Sequence, residues 1–420
     1  MKNKLILIFL LTISAGSLYA QNCSNTSTGY LPVNDIGTGF WRAKQGGLYP
    51  NGLNYIPAAH FNAGMQIASQ NIKPLDTNGN YDPVNGKIVL LSIGLSNTTQ
   101  EFSRFIEIAN SSGVLNSKLK IIDGAQGGQH INIIIDSNAA FWTTIVTRLK
   151  QNGLSSRQVQ AIWFKEAEAS PSDSSFPGYA LSLKNKFKQV MNILVNKYPN
   201  VRLCYNSSRI YAGYSSSNLN PEPYAYYSGW SVKWMIEDQI NGDTLLTFTG
   251  SNRKSPWLAW GPYLWADGMI SRSDGLIWRC PVDYQSDGTH PSDSGKTKVA
   301  NLLFNFFRND STSKSWFLSN LTGINIEPIL KLDFNLYQNY PNPFNPSTHI
   351  NYYLPKSSYV TLKIYTLVGK EIATVVNERQ NSGNYSIEFN TANYNLPSGI
   401  YFYRLETNDL SETRKMILLK

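Results

Sequence analysis

Between residues 86 and 310, short apolar runs alternate with longer segments of helical periodicity. The runs at 88–93, 119–122, 160–164 and 201–205 are largely apolar, which predicts strands buried on both faces. Segment 179–198 predicts a helix, because one of its faces collects Leu183, Phe187, Val190, Met191 and Leu194. Strands alternating with helices indicate a parallel sheet covered on both faces, with functional groups at the carboxyl ends of its strands.

From Leu332 onward the pattern changes to short alternating segments such as HINYYL, VTLKIYTL, YSIEFN and GIYFYRLE, separated by Pro, Asn and Gly. This pattern predicts a small all-β sandwich of the Ig-like kind over 332–420. We therefore expect a first domain at 21–310 and a linker at 311–331. The part at 21–85 is rich in Gly, Asn and Pro and is expected to be an irregular lead-in packed on the first domain.

The first 20 residues have the pattern of a secretory signal peptide. Lys2 and Lys4 precede an apolar core at 5–11, and the small residue Ala20 stands before Gln21. A lipoprotein would need a cysteine directly after the small residues, but two residues intervene before Cys23. The mature chain is expected to leave the cytoplasm without a transmembrane segment, because no later apolar run approaches the length of a membrane span.

The amino-acid composition of the chain limits which binding partners and cofactors are expected. Charged residues make up 15% and aromatic residues 13%, and the net charge of +9 is scattered rather than gathered in a basic block. A nucleic-acid partner is therefore not expected. Three cysteines without a Cys-x-x-Cys pair give no sign of zinc, and we expect no metal and no organic cofactor. Cys204 and Cys280 are compatible either with one disulfide or with two unpaired buried thiols.

The stretch SIGLSNTTQEFSRF, residues 92–105, places Ser96 at a strand-to-helix turn. The helix is indicated by an apolar face, and Thr98 with Glu101 fits a capping box that would start it just after the serine. Such a turn can present a hydroxyl beside backbone N–H groups directed at an incoming anion. The alternative is an ordinary cap or turn serine.

The stretch YQSDGTHPSDSGKTKVANLLFNFF, residues 284–307, places Asp287 and His290 in a loop before a helix, with Pro291 expected in the first helical turn. A serine hydroxyl becomes a nucleophile when an imidazole takes its proton and a carboxylate orients that imidazole. Ser96, His290 and Asp287 can fill these roles. The alternative for the last two is a solvated carboxylate beside a structural histidine.

Three blocks together resemble the SGNH (GDSL-like) hydrolase family over residues 86–308. They are SIGLSNT with Ser96, IIDGAQGGQ with Gly127 and Gly128, and SDGTHPSDSGKTKVA with Asp287 and His290. The resemblance implies a flavodoxin-like α/β/α sandwich and hydrolysis of an ester, often on a carbohydrate or lipid. The N–H groups of Ser96 and of Gly127 or Gly128 would form the oxyanion hole.

The third block of that family departs from the pattern. Where the family has Gly-x-Asn-Asp, with its Asn donating to the oxyanion, this chain has AIWFKEAEASP. Lys165 is a candidate replacement donor; the alternative is a solvated charge paired with Glu166 or Glu168. Candidate substrate contacts at this edge are Asn97, Lys165, Glu166 and Trp260.

The aromatic stretch SPWLAWGPYLWADG, residues 255–268, bears on the substrate. Its rings suit a sugar-binding surface, with core packing as the alternative. We expect a secreted serine esterase that hydrolyses acyl esters, O-acetyl groups above all, on carbohydrate. A non-catalytic carbohydrate-binding protein on the same fold is the alternative, favoured by the missing asparagine.

The C-terminal segments QNYPNPFNPST and SGIYFYRL occur within residues 333–420. This part resembles the C-terminal sorting domain of the bacterial type IX secretion system. The resemblance implies a β-sandwich that interacts with that machinery, and a protein that is secreted or held at the cell surface. An adhesive Ig-like module is the alternative, because a sandwich does not fix function.

Overall fold

The computed structural model describes residues 21–319, 335–336, 338–339, 341–354, 357–381, 383–408 and 410–420. The predicted signal peptide, 1–20, and residues 320–331 of the predicted linker lie outside the described residues. The chain divides into two compact units, with the boundary at residue 320. Each unit is described by itself.

The predicted irregular lead-in contains regular elements: α1 (Val33–Ile36), β1 (Phe40–Trp41), β2 (Lys44–Gln45) and α2 (Ala58–Gln70). Helix α2 packs on the first unit at Trp257, whose Nε1 donates to the His60 carbonyl at 3.0 Å. The backbone approaches closely there, because a side chain at Gly64 would meet the Trp257 ring at 2.4 Å. The prediction of an irregular segment was therefore wrong for this helix.

The centre of the first unit is a parallel sheet, as predicted. Its strands are β3 (Ile88–Gly94), β4 (Leu119–Ile122), β5 (Val159–Lys165), β6 (Leu203–Asn206) and β7 (Trp257–Trp260). They pair in the order β4-β3-β5-β6-β7, which is the order of flavodoxin-like doubly wound sheets. The chain passes from β3 to one side and then to the other, so a crevice is expected at the carboxyl end of β3.

Helices cover both faces of this sheet: α3 (Ser96–Ser111), α4 (Ile131–Ile134), α5 (Ala140–Gln151), α6 (Gly178–Lys197), α7 (Tyr224–Ile240), α8 (Asp293–Asn309) and α9 (Lys314–Phe317). Neighbouring side chains of β5 show which helices oppose each other, because successive residues of a strand point to opposite faces. Trp163 stacks on Phe102 of α3, whereas Phe164 packs edge-on against Phe187 of α6. Helix α8 lies beside α3, and α7 lies beside α6.

The predicted linker begins too early. Trp316 and Phe317 of α9 are buried in the core of the first unit, because the chain turns back after α8 and packs its aromatic side chains beside Phe307. Three short 3₁₀ helices, Pro50–Gly52, Ser156–Gln158 and Thr244–Leu246, complete this unit. None of the helices in the described part of the chain combines the length and apolar character needed to cross a bilayer.

The disulfide joins Cys23 to Cys280, and Cys204 is free. The predicted possibility of a Cys204–Cys280 bond was wrong, because Cys204 lies fully buried within β6, between two hydrogen-bonded neighbouring strands. Cys280 instead lies beside the N-terminal segment, where Gln21 N–H donates to the Ser286 carbonyl at 2.6 Å.

The second unit is antiparallel and all-β, as predicted. Its strands are β8 (Asn335–Leu336), β9 (Ser347–Leu354), β10 (Ser358–Thr366), β11 (Glu371–Gln380), β12 (Gly383–Asn390), β13 (Gly399–Glu406) and β14 (Ser411–Leu418), with a 3₁₀ helix at Thr391–Asn393. They form two sheets, β11-β10-β13-β14 and β12-β9-β8. Alternate residues Val360, Leu362 and Ile364 are fully buried, as expected for strands with one face on a core.

Candidate active site

Ser96 is the first residue of α3 and follows β3 by a tight turn at Leu95. Gly94 is required there, because a side chain would lie 2.3 Å from the Lys165 carbonyl oxygen of β5. The Thr98 hydroxyl donates to the same carbonyl at 2.7 Å. The predicted capping box was wrong: no side chain caps α3, and Thr98 and Glu101 instead contact β5. These contacts hold the half-buried serine at the edge of the sheet.

Ser96, His290 and Asp287 form a continuous hydrogen-bonded chain. Ser96 Oγ lies 2.8 Å from His290 Nε2, and His290 Nδ1 lies 2.5 Å from Asp287 Oδ2. The other carboxylate oxygen accepts hydrogen bonds from the N–H groups of Thr289 and His290, both at 2.9 Å. Pro291 precedes the helix rather than lying in its first turn, because α8 begins at Asp293 with Ser292 as its cap.

The electrostatics of Asp287 favour its charged form. Partial burial opposes ionisation, but the hydrogen bonds from His290 and Thr289 outweigh it and lower the pKa of Asp287 to about 2. An ionised Asp287 accepts a hydrogen bond from Nδ1–H of His290, which leaves Nε2 free to accept the hydrogen bond of the serine. The chain can therefore move a proton from Ser96 to His290.

The loop that carries Asp287 and His290 is fixed from two sides. Asn97 Nδ2 donates to the Thr289 carbonyl at 3.0 Å, and the Thr289 hydroxyl lies 2.6 Å from Ser215 Oγ. Asn97 is fully buried, so its predicted contact with substrate was wrong: its amide nitrogen binds the loop that carries Asp287 and His290. The sequence had no signal for Ser215, which belongs to the segment after β6.

Gly127 lies beside the serine, and Gly128 lies farther out. A side chain on Gly127 would sit 3.9 Å from Ser96 Cβ, whereas one on Gly128 would meet nothing within 4 Å. Neither the N–H of Ser96 nor that of Gly127 donates to any acceptor in the described part of the chain. These two N–H groups are candidate donors for an oxyanion.

Asp123 directly follows β4 and supports the loop that carries Gly127 and Gly128. It was not among the site residues predicted from the sequence. Its carboxylate accepts hydrogen bonds from Ser92 of β3 at 2.5 Å and from Thr99 of α3. Arg148 donates to the carbonyls of Asp123 and Ala125 at 2.8 and 2.9 Å. An acidic residue directly after a strand was the only signal in the sequence.

Lys165 and Glu166 are buried, so neither is exposed for the predicted contact with a substrate. Lys165 Nζ donates to both carboxylate oxygens of Glu101, and both side chains have 0% exposure. Neither expectation for Lys165 holds, because its charge is neither an oxyanion donor nor solvated. Glu166 is 1% exposed and accepts a hydrogen bond from the Ala167 N–H at 3.0 Å.

The aromatic stretch packs in the core. Trp257 and Trp265 are fully buried, and Trp260 is 4% exposed. The Trp260 Nε1 donates to the Leu48 carbonyl at 2.7 Å, so the lead-in covers this ring. The predicted sugar contact at Trp260 was therefore wrong, and core packing is the observed role.

Comparison with known proteins identifies one part of the chain. Residues 338–419 match the family of secretion system C-terminal sorting domains. No curated protein sequence matches the chain.

Several solved structures are similar in part. Dimeric latent PorU from Porphyromonas gingivalis is 19% identical with a TM-score of 0.18, over 20% of this chain and 9% of that chain. A protein from Arabidopsis thaliana is 13% identical with a TM-score of 0.28, over 49% and 67%. An endo-beta-1,4-mannanase from Thermotoga petrophila is 10% identical with a TM-score of 0.21, over 79% and 78%.

The chain spans only 9% of PorU and 12% of PorZ, an essential bacterial surface component of the type-IX secretion system, both from Porphyromonas gingivalis. The whole-protein activities of those relatives therefore do not transfer to it. The sorting-domain match is specific, and the region it covers is the antiparallel β unit. This protein carries a type IX secretion C-terminal sorting domain, and it is exported by that machinery to the cell surface or the medium.

Proposed function

We propose that the first unit is a serine esterase on the plan of the SGNH (GDSL-like) hydrolases. The observation that carries this proposal is the hydrogen-bonded chain from Ser96 through His290 to Asp287, at 2.8 and 2.5 Å. It lies beside two N–H groups, of Ser96 and Gly127, that donate to no acceptor in the described residues. A nucleophile, a base, an orienting carboxylate and oxyanion donors are the parts that acyl transfer needs.

In the first half of the reaction, Ser96 Oγ attacks the acyl carbon while His290 Nε2 takes the hydroxyl proton. The new C–O bond moves the carbonyl electron pair onto oxygen, where the N–H groups of Ser96 and Gly127 stabilise the charge. The tetrahedral intermediate then expels the alcohol, which receives the proton from His290. The product is an acyl-enzyme on Ser96.

In the second half, His290 takes a proton from water as the water oxygen attacks the acyl carbon. The bond to Ser96 breaks, the proton returns to Ser96 Oγ, and the free acid leaves. Because Lys165 is bound to Glu101, we assign two oxyanion donors rather than three. Since removing one donor costs about 10²–10³ in kcat, a modest turnover is expected.

Acylated carbohydrate, with O-acetyl groups first, is the substrate class we propose. An exported protein meets extracellular polysaccharide, and Ser96 and His290 are only partly buried. The buried tryptophans lend this substrate no support. The alternative is a non-catalytic carbohydrate-binding protein, which the absence of a third oxyanion donor at Lys165 favours.

The test is acid release from 4-nitrophenyl acetate and from acetylated xylan by the purified protein. Ser96→Ala should remove nearly all release, and His290→Ala a similar amount, because triad members act as a unit. Asp287→Asn should retain more activity than either. Ser111→Ala, an exposed serine on the same helix, is the matched control and should keep wild-type rates.

Comparable release by wild type and Ser96→Ala would place the activity elsewhere. Binding of xylan without release of acid from either substrate would favour the carbohydrate-binding alternative.

A further inference from the structure

A surface pocket lies at the amino ends of the parallel strands of the first unit. Its polar and aromatic lining consists of Asn71, Lys73, Asn80, Tyr81, Asn200 and Arg202. Arg202 directly precedes β6, whereas Ser96 follows the carboxyl end of β3. Because β5 has seven residues, these two edges of the sheet are about 20 Å apart. The Arg202 pocket is therefore separate from the candidate active site.

Hydrogen bonds to β5 and to the segment before it hold the walls of the Arg202 pocket. The Lys73 N–H donates to Gln160 Oε1 at 3.0 Å, and Gln160 Nε2 donates to the Lys73 carbonyl at 2.9 Å. Arg157 Nη1 donates to the Asn78 carbonyl at 3.1 Å, and Asn200 Nδ2 donates to the Arg157 carbonyl at 2.7 Å. The pocket is thus largely preformed, as ligand sites usually are.

The lining carries two positive charges, and no acidic residue is among the described residues that line it. Lys73 Nζ and the Arg202 guanidinium form no hydrogen bond or ion pair within the part of the chain that the structure describes. The carboxylate of the adjoining loop, Asp76, accepts hydrogen bonds from the N–H groups of Asn78 and Asn80 at 2.9 and 2.8 Å instead. Unpaired cations in a concave surface attract anionic groups.

Arg253 adds to the positive charge at this edge. Its guanidinium donates to the carbonyls of Val201, at 2.6 Å, and Pro199, and these acceptors carry no net charge. Burial and the charge of Arg202 lower the pKa of Arg253 to about 10, so Arg253 stays charged at neutral pH. An anion bound at Arg202 would offset the repulsion between the two guanidinium groups.

Tyr81 gives the pocket an aromatic face. Its side chain is 59% exposed, and Lys73 Nζ lies 5.3 Å from the centroid of its ring. Such a ring can pack on the apolar face of a sugar, and the amides of Asn71, Asn80 and Asn200 offer hydrogen bonds to hydroxyl groups. The pocket volume of about 370 Å³ is at the small end of the range of about 300–1,000 Å³ for ligand sites. These features favour an acidic sugar over a free anion.

We propose that the Arg202 pocket binds a uronate unit of an extracellular acidic polysaccharide. The planar guanidinium of Arg202 donates to the uronate carboxylate, Lys73 adds a second positive charge, and the sugar ring lies on Tyr81. The sorting domain supports this class of ligand, because an exported protein meets polysaccharide outside the cell. The pocket is independent of the proposed esterase, and a protein without hydrolytic activity can use it equally.

Isothermal titration calorimetry of the full chain with trigalacturonate tests the proposal. The trimethyl ester of the same trisaccharide lacks the negative charges and should bind at least about 10-fold more weakly. Inorganic phosphate has the charge without the sugar ring and should also bind more weakly than trigalacturonate. Added sodium chloride should raise the Kd for trigalacturonate, because salt screens exposed charges.

Substitutions assign the binding to this pocket. Arg202→Met should raise the Kd about 10- to 100-fold, as expected for a hydrogen bond between charged groups. Lys73→Met should raise it only about 2- to 5-fold, because this ammonium group is exposed. Tyr81→Ala should weaken binding, whereas Tyr81→Phe keeps the ring and should bind as wild type does. Lys44→Met, which removes an exposed lysine of β2 outside the pocket, is the matched control and should leave the Kd unchanged.

The outcomes that would overturn the proposal are distinct. Lys73 and Tyr81 are exposed, so their variants test the pocket even if Arg202→Met lowers stability. No binding of trigalacturonate, or a Kd that none of the three pocket residues affects, would overturn the proposal. Equal binding of the trimethyl ester would exclude the role of charge, and equal binding of phosphate would exclude the role of the sugar; either result overturns it. Binding at this pocket by a protein that releases no acid from any ester would support this site and refute the esterase alone.

Discussion

At the scale of single residues, the ion pair between Glu101 and Lys165 ties α3 to β5. Both side chains are fully buried, so neither charge can turn to water when its partner is removed. Burying an ion pair gains little over apolar packing, but breaking one leaves an uncompensated charge. The pair thus couples the helix that begins at Ser96 to the strand beside it.

Lys165→Met should therefore lower the free energy of unfolding by about 3–5 kcal/mol. Lys165→Met/Glu101→Leu should recover most of that loss, because no charge is left unpaired. Urea unfolding followed by circular dichroism measures both. Equal losses of unfolding free energy in the single and double variants would show that lost packing, rather than an unpaired charge, causes the destabilisation.

The ionisation of Asp287 makes the free energy of unfolding depend on pH. Its pKa in the folded protein is about 2, below the ordinary value of 3.8, so its contribution to stability is complete above pH 4. This contribution is lost as the pH falls towards 2. Asp287→Asn should flatten the decline of the urea midpoint between about pH 4 and pH 2. An unchanged decline would mean that other carboxyl groups govern acid unfolding.

At the scale of elements, the turn from β3 into α3 depends on a close backbone approach. A side chain at Gly94 would lie 2.3 Å from the Lys165 carbonyl and 2.4 Å from the Thr98 hydroxyl. Gly94→Ala should push α3 and its serine away from β5, lowering both Tm and kcat. Gly261→Ala is the matched control, because it follows β7 and its nearest neighbour would be 3.4 Å away. Equal effects of the two substitutions would contradict this account.

The elements that the sequence predicted well are those governed by local periodicity. The strand at Leu119–Ile122 and the helix at Gly178–Lys197 lie within one residue of their predicted bounds. The aromatic stretch failed because burial depends on what covers it: the Trp257 ring stacks on His60 of α2 at 5.0 Å. A pattern of residues 255–268 alone carries no information about a helix almost two hundred positions earlier.

In the candidate site, too, contacts between residues close in the sequence could be predicted, whereas contacts between distant residues could not. Asp287 and His290 are three positions apart, so their contact is local and the motif could predict it. Lys165 could not be placed, because its partner is 64 positions away in the sequence. The hydrogen bond of Asn97 to the Thr289 carbonyl depends on a loop conformation that follows from tertiary packing. The contact between Asp287 and His290 was therefore predictable from the sequence, whereas the contacts that surround these residues were not.

At the scale of the whole molecule, the two units carry separate tasks. Deleting residues 333–420 should leave the first unit folded, because each unit has its own core. The truncated chain should hydrolyse esters at the wild-type rate but stay inside the outer membrane of a type IX-competent host. Cell fractionation with an immunoblot measures this. Truncated protein in the medium at the wild-type level would refute the export role of the tail.

The disulfide fastens the N-terminal segment beside the loop that carries Asp287 and His290. Besides the Cys23–Cys280 bond, the Asn22 N–H donates to the Tyr214 carbonyl at 2.9 Å. Cys23→Ser/Cys280→Ser should lower the free energy of unfolding by about 2–5 kcal/mol. Urea titrations of the variant and of reduced wild type should then coincide. A variant as stable as the oxidised wild type would contradict this expectation.

The position of Cys204 in the sequence affects how the Cys23–Cys280 bond forms. A chain emerges from a translocon in sequence order, so Cys204 emerges 76 residues before Cys280. Cys204 therefore meets the Cys23 thiol before Cys280 does. Pairing of those two would remove Cys204 from the middle of the sheet. Formation of the native Cys23–Cys280 bond therefore requires β6 to pair with its neighbouring strands before Cys204 is oxidised. If the sheet forms slowly, a Cys23–Cys204 bond would trap the chain in a misfolded state.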